Sequence, residues 1–189
     1  MADQGQEGLL SPFLRAKRIA AVRPHLRGRV LDVGCGSGAL AAFVDSARYV
    51  GLEPDSASIA AARARHPDHR FVQSTALSGE YFDTIVTLAV IEHLGDPVAF
   101  LGQLAGNLAP NAEARLLCTT PHPALDWAHD VGARIGLFSH SANEEHEELL
   151  GRQRLADAGR AAGLEVVTYR RFLLGANQLC VYRARSPAK

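Results

Sequence analysis

The run Val30-Leu31-Asp32-Val33-Gly34-Cys35-Gly36-Ser37-Gly38 sets one carboxylate two residues ahead of three alternating glycines. Glu53 follows about twenty residues after the turn. Glycines at Gly34, Gly36 and Gly38 let the backbone turn tightly and let a ligand approach with no Cβ in the way. An acidic group at the position of Glu53 accepts the hydroxyls of a ribose. A carboxylate inside the strand, Asp32, two residues before the first glycine, repels a pyrophosphate and stabilises an ammonium or a sulfonium. Read as G-x-G-x-x-A over Gly34, Gly36 and Ala39, the turn also fits a loose dinucleotide fingerprint, but strict alternation puts the third glycine one step too early for it. Together the two carboxylates favour S-adenosylmethionine over a nicotinamide or flavin dinucleotide. The bland alternatives are a structural Asp32 that holds the turn and a solvated strand end at Glu53.

Other residues have chemistry of their own. His93 sits directly after an apolar β-branched run and reads either as a base near the reacting group or as a residue that orients its loop. His122, between Pro121 and Pro123, either faces a substrate or is simply exposed. A base that takes a proton from a hydroxyl is worth roughly 10²–10⁴-fold in rate. Arg15 and Arg18 read as solvated, with contact to an acidic group as the sharper alternative. Cys35 lies in the glycine turn, where its backbone matters more than its thiol. The segment from Asp126-Trp127-Ala128-His129 through His140 to Glu144-Glu145-His146-Glu147-Glu148 is rich in histidine and acid. It suggests a metal site, but reads better as a solvated helix face with acids near its start; no metal is expected.

Alternating strands and helices must position these groups. A helix is expected from Ser11 to His25, with Ser11 as cap and Pro12 in its first turn. Strands are expected at Arg29–Val33, Tyr49–Leu52, Arg70–Gln73, Phe82–Leu88 and Ala114–Cys118. Helices are expected at Ala39–Ser46, where the first-turn N–H groups would face the ligand, and at Ser56–Arg65. Another starts at Asp96-Pro97, with Val98, Leu101, Leu104, Ala105 and Leu108 on one face. Ser141 and Glu144 have capping-box spacing for a last helix that ends near Gly163. Leu164–Phe172 and Gln178–Arg183 form an antiparallel pair. Such a series implies an α/β domain with an open, mostly parallel sheet covered by helices on both faces. The long connection from Thr119 to His140, with a helix around Leu125–Ile135, is the expected substrate side. The first eight residues and the tail from Ser186 are expected to be loose.

Length and charge narrow the classes. The 189 residues suit one domain, and Lys+Arg and Asp+Glu each number 20, so the formal net charge is zero and no overall basic footprint for nucleic acid exists. No segment approaches the ~18 apolar residues of a membrane span, and no signal peptide is evident. Three scattered cysteines suit a reducing compartment, so a cytoplasmic location is expected.

The stretch VLDVGCGSG closely resembles the first motif of class I S-adenosylmethionine-dependent methyltransferases, and GLEPD (Gly51–Asp55) resembles the second. Phe82-Asp83-Thr84-Ile85-Val86 followed by Ile91-Glu92-His93-Leu94 resembles the fourth strand and its exit, and Leu108-Ala109-Pro110-Asn111-Ala112 a later turn. The resemblance is strong from Arg29 to Thr120. It implies a Rossmann-like, seven-stranded sheet of order 3-2-1-4-5-7-6 with the last strand antiparallel, in a single domain over 1–189. That domain would have an N-terminal helix over 9–26 and a substrate-side lid over 119–146. It implies S-adenosylmethionine as cofactor, held by Asp32, Gly34, Cys35, Gly36, Gly38, Glu53, Pro54, Ser74, Thr75, Ala76 and Leu88. His93 and His122 are then the candidate catalytic residues. Thr75 departs from the family's usual aspartate at the adenine, a weaker acceptor. Ala89 departs from the extra glutamate of the metal-using RNA ribose methyltransferases. The implied reaction is methyl transfer to an oxygen of a small molecule or of a glycan or lipid precursor, by a monomer or homodimer. The alternatives are a cofactor-binding protein without catalysis and an RNA 2′-O-methyltransferase.

Overall fold

The computed structural model describes residues 11–123 and 150–185. Its elements are α1 (Ser11–Val22), β1 (Val30–Val33), β2 (Tyr49–Leu52), α2 (Ser56–Arg65), β3 (Arg70–Val72), β4 (Thr84–Leu88), α3 (Pro97–Ala105), β5 (Arg115–Pro121), α4 (Arg152–Ala161), β6 (Leu164–Phe172) and β7 (Asn177–Ala184). The strands form one seven-stranded sheet in the order β3-β2-β1-β4-β5-β7-β6. Strands β1 to β5 pair in parallel, and β7 runs antiparallel to both β5 and β6. This is the topology that the motif resemblance implies.

Every residue of β1 and of β2 is buried. Strands covered on both faces read as continuous apolar runs rather than alternating ones. One face packs Leu31, Ile85 and Leu116 under Leu101 and Leu104 of α3 and Leu155 of α4. The other packs Val30, Val86 and Leu117 under Ile19 and Val22 of α1 and Ile59 and Ala62 of α2. Asp55 and Asp96 cap α2 and α3 by accepting from the N–H groups of Ser58 and Ala99. Because β1 pairs with β2 on one side and β4 on the other, chain order reverses beside it. Open α/β sheets bind ligands outside the carboxyl ends of the strands at such a point.

The helix expected over Ala39–Ser46 does not form. Two single-turn 3-10 segments replace it, Ala41–Phe43 and Ser46–Arg48. Gly38 is left-handed at φ +78°, Val44 is already extended, and Asp45 caps the second turn through the N–H of Ala47. Too few residues remain between them to nucleate an α-helix. The turn therefore has no α-helical N-terminus behind it. Helix α1 stops at Val22 rather than His25, where Pro24 tightens the chain into a 3-10 turn. Strand β4 begins at Thr84, with Phe82 forming only an isolated bridge to Leu108. Strand β5 continues to Pro121 because Thr119, Thr120 and Pro121 pair with Leu179, Gln178 and Asn177 of β7; the expected connection thus starts later, at His122. Leu150 and Gly151 are not helical, and α4 begins at Arg152, so no continuous helix runs from Ser141 to Gly163. The remaining strand ends move by one residue, to Val30, Val72, Arg115, Asn177 and Ala184. The first eight residues, the Leu125–Ile135 helix, the Ser141/Glu144 cap, the histidine and acid run and the tail from Ser186 lie outside the described residues.

Strands β6 and β7 are joined by a tight turn over residues 173–176. Leu173, Leu174 and Gly175 are all left-handed, at φ 55°, 54° and 92°. Leucine in this conformation costs roughly 1–2 kcal/mol per residue.

Candidate functional site

The exit of β1 is a left-handed stair: Gly34, Gly36 and Gly38 have φ of 73°, 51° and 78°. The N–H groups of Gly34 and Cys35 both donate to the Leu52 carbonyl, at 2.9 and 3.0 Å, which ties the turn to the end of β2. A Cβ on Gly34 would stand 2.5 Å from Val90 Cγ2, whereas one on Gly36 would meet nothing within 4 Å. Gly34 is therefore required by packing, and Gly36 by the open space it leaves.

The two predicted carboxylates converge on this turn. Glu53 Oε2 accepts from the Gly36 N–H at 3.0 Å and Oε1 from the Asp55 N–H at 3.0 Å. Each carboxylate oxygen has a further lone pair, so Glu53 is held in place and can still accept a hydroxyl. Asp32 is 2 % exposed and its Oδ2 accepts from Tyr49 Oη at 2.7 Å. Burial, with Glu53 adding to it, pushes the Asp32 carboxyl up to about 7, against the hydrogen bond from Tyr49. A cation placed beside Asp32 reverses this effect, since it favours the ionised carboxylate.

A cleft of about 300 Å³ opens here, lined by Asp32, Gly34, Cys35, Gly36, Leu88 and Ala89, with Ser58 at the start of α2 and Arg15 and Arg18 of α1. Ala89 is left-handed at φ 57°, and its N–H donates to the Thr119 carbonyl at 2.8 Å. Burial, helped by Asp32 and Glu53, drives the Cys35 thiol far up, so it is inert as a nucleophile.

Five of the predicted cofactor residues therefore line the cleft, Asp32, Gly34, Cys35, Gly36 and Leu88, and Glu53 stands outside the lining, bonded to the Gly36 N–H. Gly38 is buried just behind, where a Cβ would touch Phe71 at 3.0 Å. Pro54, Thr75 and Ala76 are exposed and outside the lining. Ser74 closes its own turn, donating to the Ala76 carbonyl at 2.8 Å and accepting from the Ala76 N–H at 3.1 Å.

The histidines occupy the same edge of the sheet. His93 ends the 3-10 turn Ile91–His93 and is exposed, while its neighbour Glu92 turns inward and is buried. Burial raises the Glu92 carboxyl, against the opposing pull of His93 and Arg18. His122 follows β5, donates its N–H to the Ala176 carbonyl at 2.9 Å, and has its imidazole lowered by burial and by Arg171. The arginines of α1 are not simply solvated: Arg18 Nε donates to Asn177 Oδ1 at 2.8 Å. A readable signal existed for them, since Arg15, Arg18, Ile19 and Val22 share one helical face and the last two are core. Ser58 carried no such signal. No cluster of three or more metal-binding side chains occurs among the described residues.

Comparison with known proteins bears on this arrangement. The family model described as "Methyltransferase domain" matches residues 7–169. A ubiquinone biosynthesis O-methyltransferase of Parvibaculum lavamentivorans is 40% identical over 100 residues, covering 48% of this chain and 40% of that one. Its counterpart from Ruegeria pomeroyi is 26% identical over 162 residues, covering 80% and 65%. The chain thus spans less than half the length of the first of these relatives. Among solved structures, magnesium protoporphyrin IX methyltransferase of Synechocystis with bound SAH superposes with a TM-score of 0.70 at 17% identity, covering 97% of this chain and 90% of that one. The methyltransferase in complex with the Haloferax volcanii activator Trm112 gives 0.70 at 19%, covering 94% and 91%. At these identities the structures share the fold. The match over most of the chain, on a sheet of this order with its glycine turn at the switch point, makes the chain a member of the methyltransferase-domain family, for which S-adenosylmethionine is the methyl donor.

Proposed function

We propose that this chain transfers a methyl group from S-adenosylmethionine to an oxygen of a small-molecule acceptor, a class that includes glycan and lipid precursors. The observation that carries this reading is the pair of carboxylates on one glycine turn, Glu53 bonded to Gly36 and Asp32 buried beside it. The residues present fit the donor. Gly36 leaves the space that a Cβ would fill, Glu53 offers acceptor capacity to a ribose, and Asp32 suits a cationic centre. When bound, the donor supplies an electrophilic methyl on a sulfonium. The oxygen acceptor is favoured by the relatives, whose names are those of O-methyltransferases.

The chain's own residues do the rest. The glycine turn and Glu53 fix orientation, an effect worth roughly 7–11 kcal/mol when the reacting atoms are aligned. The acceptor approaches at the carboxyl ends of β4 and β5, where Leu88 and Ala89 form the wall. A hydroxyl acceptor must lose its proton there. Among the described residues, His93 and His122 follow β4 and β5 at this edge, and the lowered His122 is neutral at pH 7, the state that accepts a proton. Pro54, Ser74, Thr75 and Ala76 form the neighbouring rim beyond β2 and β3, the side proposed for the adenine.

Transfer of radiolabelled methyl groups to a panel of phenolic and other hydroxylated acceptors tests the reading. Label in an O-methyl product is expected; tight cofactor binding with no transfer to any acceptor would support a binding protein instead.

A further inference from the structure

Although the chain carries no net charge, two segments among its described residues are purely basic. From Ser11 to Leu31 there are six Arg and Lys residues and no Asp or Glu, and from Val166 to Arg185 there are four Arg and no acid. The fold joins these two segments. Arg18 Nε reaches Asn177 Oδ1 at 2.8 Å, and Arg170 Nη2 donates to the Ala21 carbonyl at 2.8 Å. Helix α1 packs on β4 and β7; because Ala21 meets Arg170 while Arg18, earlier in the helix, meets Asn177 at the start of β7, its first turns, with the exposed Phe13 and Lys17, lie toward the hairpin end of these strands.

Apolar side chains stand among those charges. Leu174 is fully exposed and Phe13 is half exposed at 50 %. Lys17 Nζ lies 5.2 Å from the centre of the Phe13 ring, and the Arg170 guanidinium 5.9 Å from that of Phe172. Arg170 and Arg171 are exposed, and Arg171 donates to the Gly175 carbonyl, bracing the turn that displays Leu174. Leu173 and Leu174 hold left-handed backbone that glycine or asparagine would adopt more readily. Strained backbone of this kind concentrates at functional sites.

We propose that this edge, Phe13 and Lys17 of α1 with Arg170, Arg171 and Leu174 of the β6–β7 hairpin, docks on the surface of an anionic lipid bilayer. The charge is of the sign that such a surface attracts, and it acts over about one Debye length. A projecting leucine flanked by arginines is the shape that enters the boundary between headgroups and acyl chains. An RNA would use the arginines but leave Leu174 in water. The docked edge is the one at which β4 and β5 end, so the cleft would face the membrane. Docking at this edge does not depend on which group accepts the methyl.

Co-sedimentation of the full chain with vesicles of phosphatidylcholine alone, or mixed with phosphatidylglycerol, is the test. Binding is expected only to the anionic vesicles and is expected to weaken as salt rises. Leu174→Asn relieves the left-handed strain, so its melting temperature should equal or exceed that of the parent while its vesicle affinity falls about tenfold or more, the effect of losing one buried leucine. Lys17→Glu should weaken binding without loss of fold. No binding to anionic vesicles, or equal binding by Leu174→Asn, overturns the proposal. Binding to RNA in preference to vesicles overturns it as well.

Discussion

Asp32 is the residue on which pH acts most directly. Its carboxyl titrates near 7 in the ligand-free protein because it is buried, against an ordinary value of 3.8. A cationic ligand needs the ionised form, so affinity for S-adenosylhomocysteine, which keeps the ammonium, should be full above pH 7 and fall as pH drops through 7 toward 5. The opposite sign applies to the empty fold. A carboxyl raised on folding favours the native state below its unfolded value, and that contribution is lost as pH rises from about 4 to 7. Calorimetric titration across this range checks the first statement, and Asp32→Asn should weaken binding and flatten the pH profile. Glu53→Ala removes a charged acceptor worth roughly 1.5–3 kcal/mol and also releases Gly36, so affinity should fall by at least that much; unchanged affinity would contradict the ribose assignment. Both carboxylates were legible in the sequence because Asp32 lies in the strand that leads into the glycines and Glu53 follows the next strand. Ser58 was not legible, since its place in the cleft comes from how α2 lies across the sheet, whereas Arg15 and Arg18 share a helical face with the core residues Ile19 and Val22.

Among the elements, the glycine stair separates folding from binding. Gly34→Ala meets Val90 at 2.5 Å and holds a left-handed φ, so it should destabilise by more than the ~1–2 kcal/mol of strain alone. Gly36→Ala carries the strain without the clash and instead fills the cleft, so it should bind cofactor weakly at a smaller loss of stability. Thermal melts paired with titrations distinguish the two; equal losses in both properties for both variants would contradict the assignment. The strands and α3 were readable from apolar runs, Pro97 and the Asp96 cap. The Ala39–Ser46 helix was not, because helix propensity says nothing of the short span left between Gly38 and the extended Val44. The reach of β5 to Pro121 was hidden as well: Thr119 and Thr120 look like loop residues until β7 pairs with them.

For the whole molecule, strand order followed from the motif resemblance, while the basic edge depended on tertiary contacts that join segments about 150 positions apart. A ligand that binds only the native state stabilises it by about 2.7 kcal/mol at a hundred times its dissociation constant. S-adenosylhomocysteine should therefore raise the melting temperature, and His93→Ala and His122→Ala should leave that rise intact while lowering turnover on a hydroxyl acceptor. The central claim is that two carboxylates on one glycine turn select a cationic nucleoside over a diphosphate. Isothermal titration of the full chain at pH 8 with S-adenosylhomocysteine and, separately, with NAD tests it most directly. The account predicts saturable heat with the first and none with the second; binding of NAD with no response to S-adenosylhomocysteine would contradict it.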